Sequence, residues 1–119
     1  MGVTTLIVKI KNPANSHKTV QHKFLVDSGA IYSVVPAKIL EKLGVKKTFK
    51  QKFQLANGEI VEWDGGNVLF EYKGEERAAP VIFGEKEDIF LLGVTTLEAF
   101  GFILDPITRE LKSIPMLLM

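Results

Sequence analysis

Apolar residues come in short runs along this chain, and most of the runs end on turn-forming residues. Leu6-Ile7-Val8-Lys9-Ile10 is a β-branched run with strand character, and Asn12-Pro13-Ala14-Asn15-Ser16 is turn chemistry. Val20 to Val26 returns as a second strand, so the pair predicts a hairpin with a long tip. Its last residues, Phe24-Leu25-Val26, read as a buried strand that runs straight into Asp27-Ser28-Gly29-Ala30. After Ile31-Tyr32-Ser33-Val34-Val35, Pro36 suits the first position of a helix. Ala37 to Leu43 continues that helix, with Ile39, Leu40 and Leu43 on one face and Gly44 as its stop.

Phe53 to Trp63 predicts the clearest hairpin. Asn57-Gly58 fits a two-residue type I′ turn, which sets Leu55 opposite Ile60 and Gln54 opposite Val61. Asp64-Gly65-Gly66 is expected to end it. Two further strands, over 67–72 and 77–83, flank Lys73-Gly74-Glu75-Glu76, and Glu85-Lys86-Glu87-Asp88 is a charged loop. A second apolar run, Ile89-Phe90-Leu91-Leu92, ends on Gly93. Thr95 with Glu98 has capping-box spacing, predicting a short helix to Phe100 that stops at Gly101. Phe102-Ile103-Leu104 predicts another buried strand, turned by Asp105-Pro106, and the last six residues, Ile114 to Met119, are apolar where chain ends usually fray. The order of parts repeats. Strand, glycine, short helix, glycine, strand occurs once around Asp27 and once around Gly93, and only the first copy carries an acid.

Composition narrows the function. The 119 residues suffice for one domain, spanning 1–119, and 46% hydrophobic content agrees with a globular core. A net charge of +1 gives no general case for nucleic acid or a membrane surface. The absence of cysteine excludes disulfides and thiolate metal sites. His17 and His22 lack a third ligand nearby and read as surface residues, so no metal or cofactor is expected. Lys46, Lys47, Lys50 and Lys52 read as a solvated strand and loop, because only Phe49 and Phe53 interleave with them as stacking platforms. No apolar run approaches the ~20 residues of a membrane span. Met1-Gly2-Val3-Thr4-Thr5 lacks the pattern of a signal peptide, so the expected location is cytoplasmic.

An isolated Asp-Ser-Gly often does no more than satisfy backbone donors in a turn. Here its flanks matter. Leu25-Val26-Asp27-Ser28-Gly29-Ala30 resembles the catalytic loop of the retropepsin-like (retroviral-type) aspartic proteases, particularly their small prokaryotic-style members. The hairpin with Leu55-Ala56-Asn57-Gly58 resembles their substrate-covering flap, and Leu91-Leu92-Gly93 resembles the element that crosses beside the catalytic loop. The match runs from the first hairpin to about Asp105.

The resemblance implies a mainly β, closed barrel-like fold with a flap hairpin and two short helices, active as a two-fold homodimer. It implies an aspartic endopeptidase without cofactor, with Asp27, Ser28 and Gly29 as catalytic-loop residues. Ala30, Leu55, Ala56, Asn57 and Gly58 would meet a peptide or protein substrate. Two carboxyls held close share one proton, because like charges so near cannot both ionise. The chain has a single Asp-Ser-Gly, so Asp27 would face Asp27 of a second copy across a two-fold axis. Ser28 stands where viral enzymes usually carry Thr and keeps the hydroxyl. The flap tip has one glycine where viral flaps have several, and the terminal segment does not match the viral dimer strand. Two alternatives are a non-catalytic peptide- or protein-binding module on the same dimeric fold, and a monomeric barrel in which Asp27 only shapes a turn.

Overall fold

The computed structural model describes residues 4–105 and 107–113; Pro106 and the apolar segment 114–119 lie outside the described residues. The first hairpin joins β1 (Thr5–Asn12) to β2 (Asn15–Val26). Its tip is tight rather than long. Asn12 Oδ1 accepts the Ala14 N–H at 2.9 Å, and Asn12 Nδ2 donates to the Leu43 carbonyl at 2.7 Å. One buried side chain thus closes the turn and ties it to the next helix, which leaves no slack for an open loop. β3 (Ser33–Pro36) leads into α1 (Ala37–Lys42), and Gly44 follows with φ +76°. Pro36 is the residue before the helix rather than its first, because it still pairs with the sheet, opposite Gly84.

Next come β4 (Phe49–Gln54), β5 (Ile60–Tyr72) and β6 (Glu75–Gly84). β7 (Leu91–Leu92), α2 (Val94–Ala99), β8 (Phe102–Leu104) and β9 (Leu111–Ser113) follow. The main sheet has the order β1-β2-β7-β3-β6-β5-β4, and an added β1–β5 pairing closes it into a barrel from which β4 projects. Closure runs through Lys9↔Glu71, Ile10↔Phe70 and Lys11↔Leu69. Alternation along the strands fills the barrel: Val8, Ile10, Phe24, Val68, Phe70 and Val81 are buried, whereas Ile7 faces outward. Phe24 meets Phe70 and Phe90 edge-on at 6.3 and 5.4 Å, an arrangement that aromatic quadrupoles favour.

Asp64-Gly65-Gly66 does not end the second hairpin. β5 runs straight through it, pairing first with β4 and then with β6. These glycines serve close approach: a Cβ on Gly65 would lie 2.2 Å from the Phe49 ring, and one on Gly66 would lie 2.4 Å from the Lys46 carbonyl oxygen. The hairpin's register also differs by one residue from the two-residue turn. Gln54 pairs with Ile60 and Phe53 with Val61. The loop is Ala56-Asn57-Gly58, closed by Gly58 N–H to Leu55 O at 2.9 Å and Leu55 N–H to Glu59 O at 2.8 Å. Asn57 uses its side chain to accept the Glu59 N–H at 2.9 Å, and only Gly58 takes positive φ (+87°), giving a three-residue loop with a glycine bulge. The type I′ geometry occurs instead at Lys73 (φ 50°) and Gly74 (φ 82°), between β5 and β6. The slip matters because side chains alternate faces: Phe53, Val61 and Trp63 turn inward, and Ile60 is exposed.

β8 is not a buried strand. It pairs with β9 in a separate two-stranded sheet, with Phe102 and Leu104 half-buried and Ile103 exposed. Asp105 holds the turn between them. Its carboxylate accepts the Ile107 and Thr108 N–H groups at 2.8 and 3.1 Å and pairs with Lys112 at 2.8 Å. Lys112 first, then those two N–H groups, lower the Asp105 carboxyl to about 2. A depressed folded value means the contribution to stability is present above the ordinary carboxylate range and is lost as pH falls toward 2. An NMR titration of the Asp105 carboxyl carbon is therefore expected to have its midpoint near 2, and a midpoint near 4 would contradict the clasp.

Candidate active site

β2 delivers Asp27 to the rim of the barrel. The two apolar runs noted in the sequence lie side by side and parallel, Leu25 beside Leu91 and Val26 beside Leu92. Backbone bonds carry the pairing one residue past the strand: Asp27 N–H donates to Leu92 O at 3.0 Å. The turn then closes on itself. Asp27 Oδ1 accepts the Gly29 N–H at 2.8 Å, and Ala30 N–H donates to Asp27 O at 3.2 Å. Asp27 is half-buried, Ser28 and Gly29 are exposed, and Ala30 is half-buried. The carboxylate is thus aimed by the loop's own backbone, and a Cβ on Gly29 would come within 3.2 Å of Asp27 Oδ1.

The loop is locked to the β7–α2 segment from the other side. Val94 and Thr95, the first residues of α2, donate their N–H groups to the Ala30 and Ile31 carbonyls at 2.8 and 3.0 Å. These bonds satisfy helix-end donors that would otherwise be orphaned. They also explain why the Thr95 capping box does not form: the helix begins at Val94 after Gly93, and no side chain caps it. Ser33 Oγ accepts the Gly93 N–H at 3.0 Å and shares a buried hydrogen bond with Thr96 Oγ1 at 2.6 Å. Gly93 has no room for a side chain, since a Cβ there would lie 2.5 Å from the Tyr32 carbonyl carbon. Ser33 and Thr96 went unremarked in the sequence, where nothing separates a hydroxyl inside a strand or helix from a solvated one.

An apolar groove opens beside this loop, beneath the β4–β5 hairpin. One chamber of about 310 Å³ is lined by Gly29, Ala30, Tyr32, Phe53 and Trp63, among others. A second, of about 270 Å³, shares Val34, Trp63 and Leu91 with the first and has Glu85, Lys86 and Ile89 at its other side. A third, of about 330 Å³, shares Ile89 and Leu91 with the second and is lined also by Lys23, Leu25, Asp88 and Phe90. Phe53 packs on Trp63 at 5.4 Å and edge-on to Tyr32 at 6.4 Å, which fixes the base of the hairpin over the groove. Leu55, Ala56, Asn57 and Gly58 sit at its exposed tip and line none of these chambers. His17 and His22 are both exposed, and His22 stacks on Phe90 at 3.6 Å.

A closed β-barrel with an aspartate at a strand end, a second apolar run crossing beside it and a hairpin projecting over the adjoining groove defines an acid-protease architecture. The sequence model for aspartyl proteases matches residues 8–96, and the chain belongs to that family. Solved structures with the same fold include the simian foamy virus (mac) protease in solution, at 22% identity and a TM-score of 0.58, covering 80% of this chain and 92% of that one. The EIAV protease complexed with the inhibitor HBY-793 gives 21% identity and a TM-score of 0.60, covering 84% and 89%. The retroviral protease-like domain of Ddi1 from Leishmania major gives 21% and 0.53, covering 97% and 92%. Comparison with curated proteins gives no match. The expected mainly β, retropepsin-like fold is therefore the observed one. No helix among the described residues is long and apolar enough to cross a membrane.

Proposed function

We propose that residues 1–119 form one retropepsin-like domain that acts, as a homodimer, as an aspartic endopeptidase in the cytoplasm. The observation that carries this reading is the setting of Asp27. It is the acid of the chain's single Asp-Ser-Gly, it stands at the barrel rim, and one carboxylate oxygen is aimed by the Gly29 N–H beside an apolar groove. One such acid is half of a site. With Asp27 of a second copy across a two-fold axis, the ionised carboxylate takes a proton from water, whose oxygen bonds to the peptide carbonyl carbon. The protonated partner gives its proton to the carbonyl oxygen. The tetrahedral intermediate then breaks its C–N bond as the carboxyl that took the water's proton passes it to the leaving nitrogen. At the same time a hydroxyl proton of the intermediate returns to the other, ionised carboxylate, which re-forms the C=O bond and leaves the pair sharing one proton again.

Ser28, exposed in the single chain, would brace the paired loops across the axis, Gly29 lets the backbones approach, and Ala30 offers the carboxylates no competing donor. Leu55 to Gly58 would fold over the bound chain and exclude water. A row of adjoining chambers that share walls suits successive side chains of an extended peptide. The test is direct. Unfolded protein substrates are expected to be cut, and a peptide analogue carrying a hydroxyl in place of the scissile carbonyl is expected to stop the cutting. A dimer that binds the analogue and cuts nothing would instead mean a binding module.

A further inference from the structure

We propose that Asn57 is a self-modifying site: it loses its side-chain amide to the neighbouring backbone nitrogen, and the hairpin tip becomes aspartate or isoaspartate. The inference goes beyond the peptidase reading and does not depend on it. Asn57 and Gly58 are both exposed in the loop between β4 and β5, and a Cβ on Gly58 would meet nothing within 4 Å. Asn57 Oδ1 accepts the Glu59 N–H at 2.9 Å. That bond turns the side-chain carbonyl back along the main chain past Gly58. It also sets a donor on the oxygen that becomes negative when Cγ is attacked. The Gly58 N–H donates to Leu55 O at 2.9 Å, so the nitrogen is released when this exposed bond opens. Hydroxide then takes the Gly58 amide proton, and the nitrogen bonds to Cγ as the carbonyl electron pair moves to Oδ1. The oxyanion re-forms its carbonyl and expels Nδ2, which takes a proton from water and leaves as ammonia. Water opens the resulting succinimide at Cγ, giving aspartate, or at the Asn57 main-chain carbonyl carbon, giving isoaspartate. The other three asparagines each lack a part of this arrangement. Asn12 is buried and precedes Pro13, which has no N–H to give up. Asn67 lies within β5 opposite Pro80 and precedes the buried Val68. Asn15 makes a longer bond, accepting the His17 N–H at 3.3 Å, and precedes Ser16, whose side chain crowds the attacking nitrogen.

The two products differ in what they do to the tip. Aspartate still offers an oxygen to the Glu59 N–H, so the loop keeps its shape. Isoaspartate routes the main chain through Cβ and Cγ and so adds a carbon to it. That carbon falls inside both rings that close the loop, Gly58 N–H to Leu55 O and Leu55 N–H to Glu59 O, and both bonds are lost. Isoaspartate thereby takes apart the piece of hairpin proposed to fold over a bound chain. The experiment incubates the full chain at neutral and mildly alkaline pH. Fragmentation mass spectrometry locates each exchange of amide nitrogen for oxygen, and an isoaspartyl methyltransferase counts the isomerised product. Exchange should begin at Asn57 and quicken in proportion to hydroxide. Gly58→Ala, which crowds the nitrogen and leaves the fold intact, should slow it about tenfold or more, since attack depends on a close, aligned approach. Hydrogen exchange at the Leu55 amide should be as slow in Asn57→Asp as in the starting chain, and should rise to that of an unbonded amide in the isoaspartate fraction. An Asn57 that keeps its amide while the urea-unfolded chain loses it overturns the site. So does exchange that starts at Asn15 or Asn67, or that runs undiminished in Gly58→Ala. A Leu55 amide still protected in the isoaspartate fraction overturns the opening of the loop.

Discussion

Asp27→Asn is expected to abolish peptide cleavage while leaving the fold and the dimer intact. The amide oxygen of Asn can accept the Gly29 N–H as Asp27 Oδ1 does at 2.8 Å, so the turn keeps its bond. The bonds that hold the loop to its neighbours, Asp27 N–H to Leu92 O and Ala30 N–H to Asp27 O, are backbone bonds and are unaffected. Lost is the ability to take a proton from water and to return one. General acid–base groups contribute about 10²- to 10⁴-fold to rate. Both roles fall on the same residue in the two chains, so the loss should reach or exceed the upper figure. Steady-state hydrolysis, with circular dichroism and sedimentation as controls, checks this. Undiminished cleavage by the folded variant would move the site elsewhere.

Gly93→Val should be the most damaging single change to the structure. The new Cβ would meet backbone, not flexible side chain: the Tyr32 carbonyl carbon at 2.5 Å, its oxygen at 2.6 Å and the Ile31 oxygen at 2.9 Å. Relief requires moving α2 away from the Asp27 loop. That motion breaks Val94 N–H to Ala30 O and Thr95 N–H to Ile31 O, and pulls Gly93 N–H from Ser33 Oγ. Overpacking costs about 1–3 kcal/mol, and each hydrogen bond lost adds about 1 kcal/mol. The sum is a large share of the ~5–15 kcal/mol that holds a domain together. With three bonds lost the sum is at least about 4 kcal/mol, so a melting temperature lower by at least about 16 °C is expected, at roughly 4–8 °C per kcal/mol. Gly58→Ala is the contrast. Gly58 also has positive φ, but a Cβ there meets nothing within 4 Å, so the change should cost only about 1–2 kcal/mol of local strain. Equal melting temperatures for the two variants would remove Gly93 from its role as the contact point between the two halves of the repeat.

What could be read from the sequence was what depends on local pattern. The runs ending at Asp27 and Gly93 were legible as a repeated unit because apolar runs stopped by glycine are a local signal. Both helices stop at the predicted glycines, Gly44 and Gly101, each with φ +76°. The misreadings came from glycines and turns whose reason is tertiary. Gly65 and Gly66 look like a turn and are instead places where a Phe49 ring and a Lys46 carbonyl press on a strand. Asn57-Gly58 has the composition of a two-residue turn, yet the Asn57 side chain takes the Glu59 N–H and adds a residue to the loop. Thr95 has capping-box spacing, but the Ala30 and Ile31 carbonyls had already taken the helix-end donors. The groove was the least legible part. Phe53, Trp63, Tyr32 and Leu91 come from different elements, and only the barrel brings them together.

The central claim is that each active site needs one Asp27 from each of two chains, and subunit mixing tests it most directly. Wild-type chains are mixed with an equal amount of Asp27→Asn chains and allowed to exchange. Random pairing in a closed two-fold dimer leaves about a quarter of the dimers with two intact acids and about half with one. Dimers with one acid should be nearly inactive, because a single carboxyl cannot hold both protonation states at once. Activity should therefore begin near half that of an all-wild-type sample at the same total protein and decay to about a quarter as exchange proceeds. A steady value of about one half after exchange is verified, as chains working alone would give, contradicts the shared site.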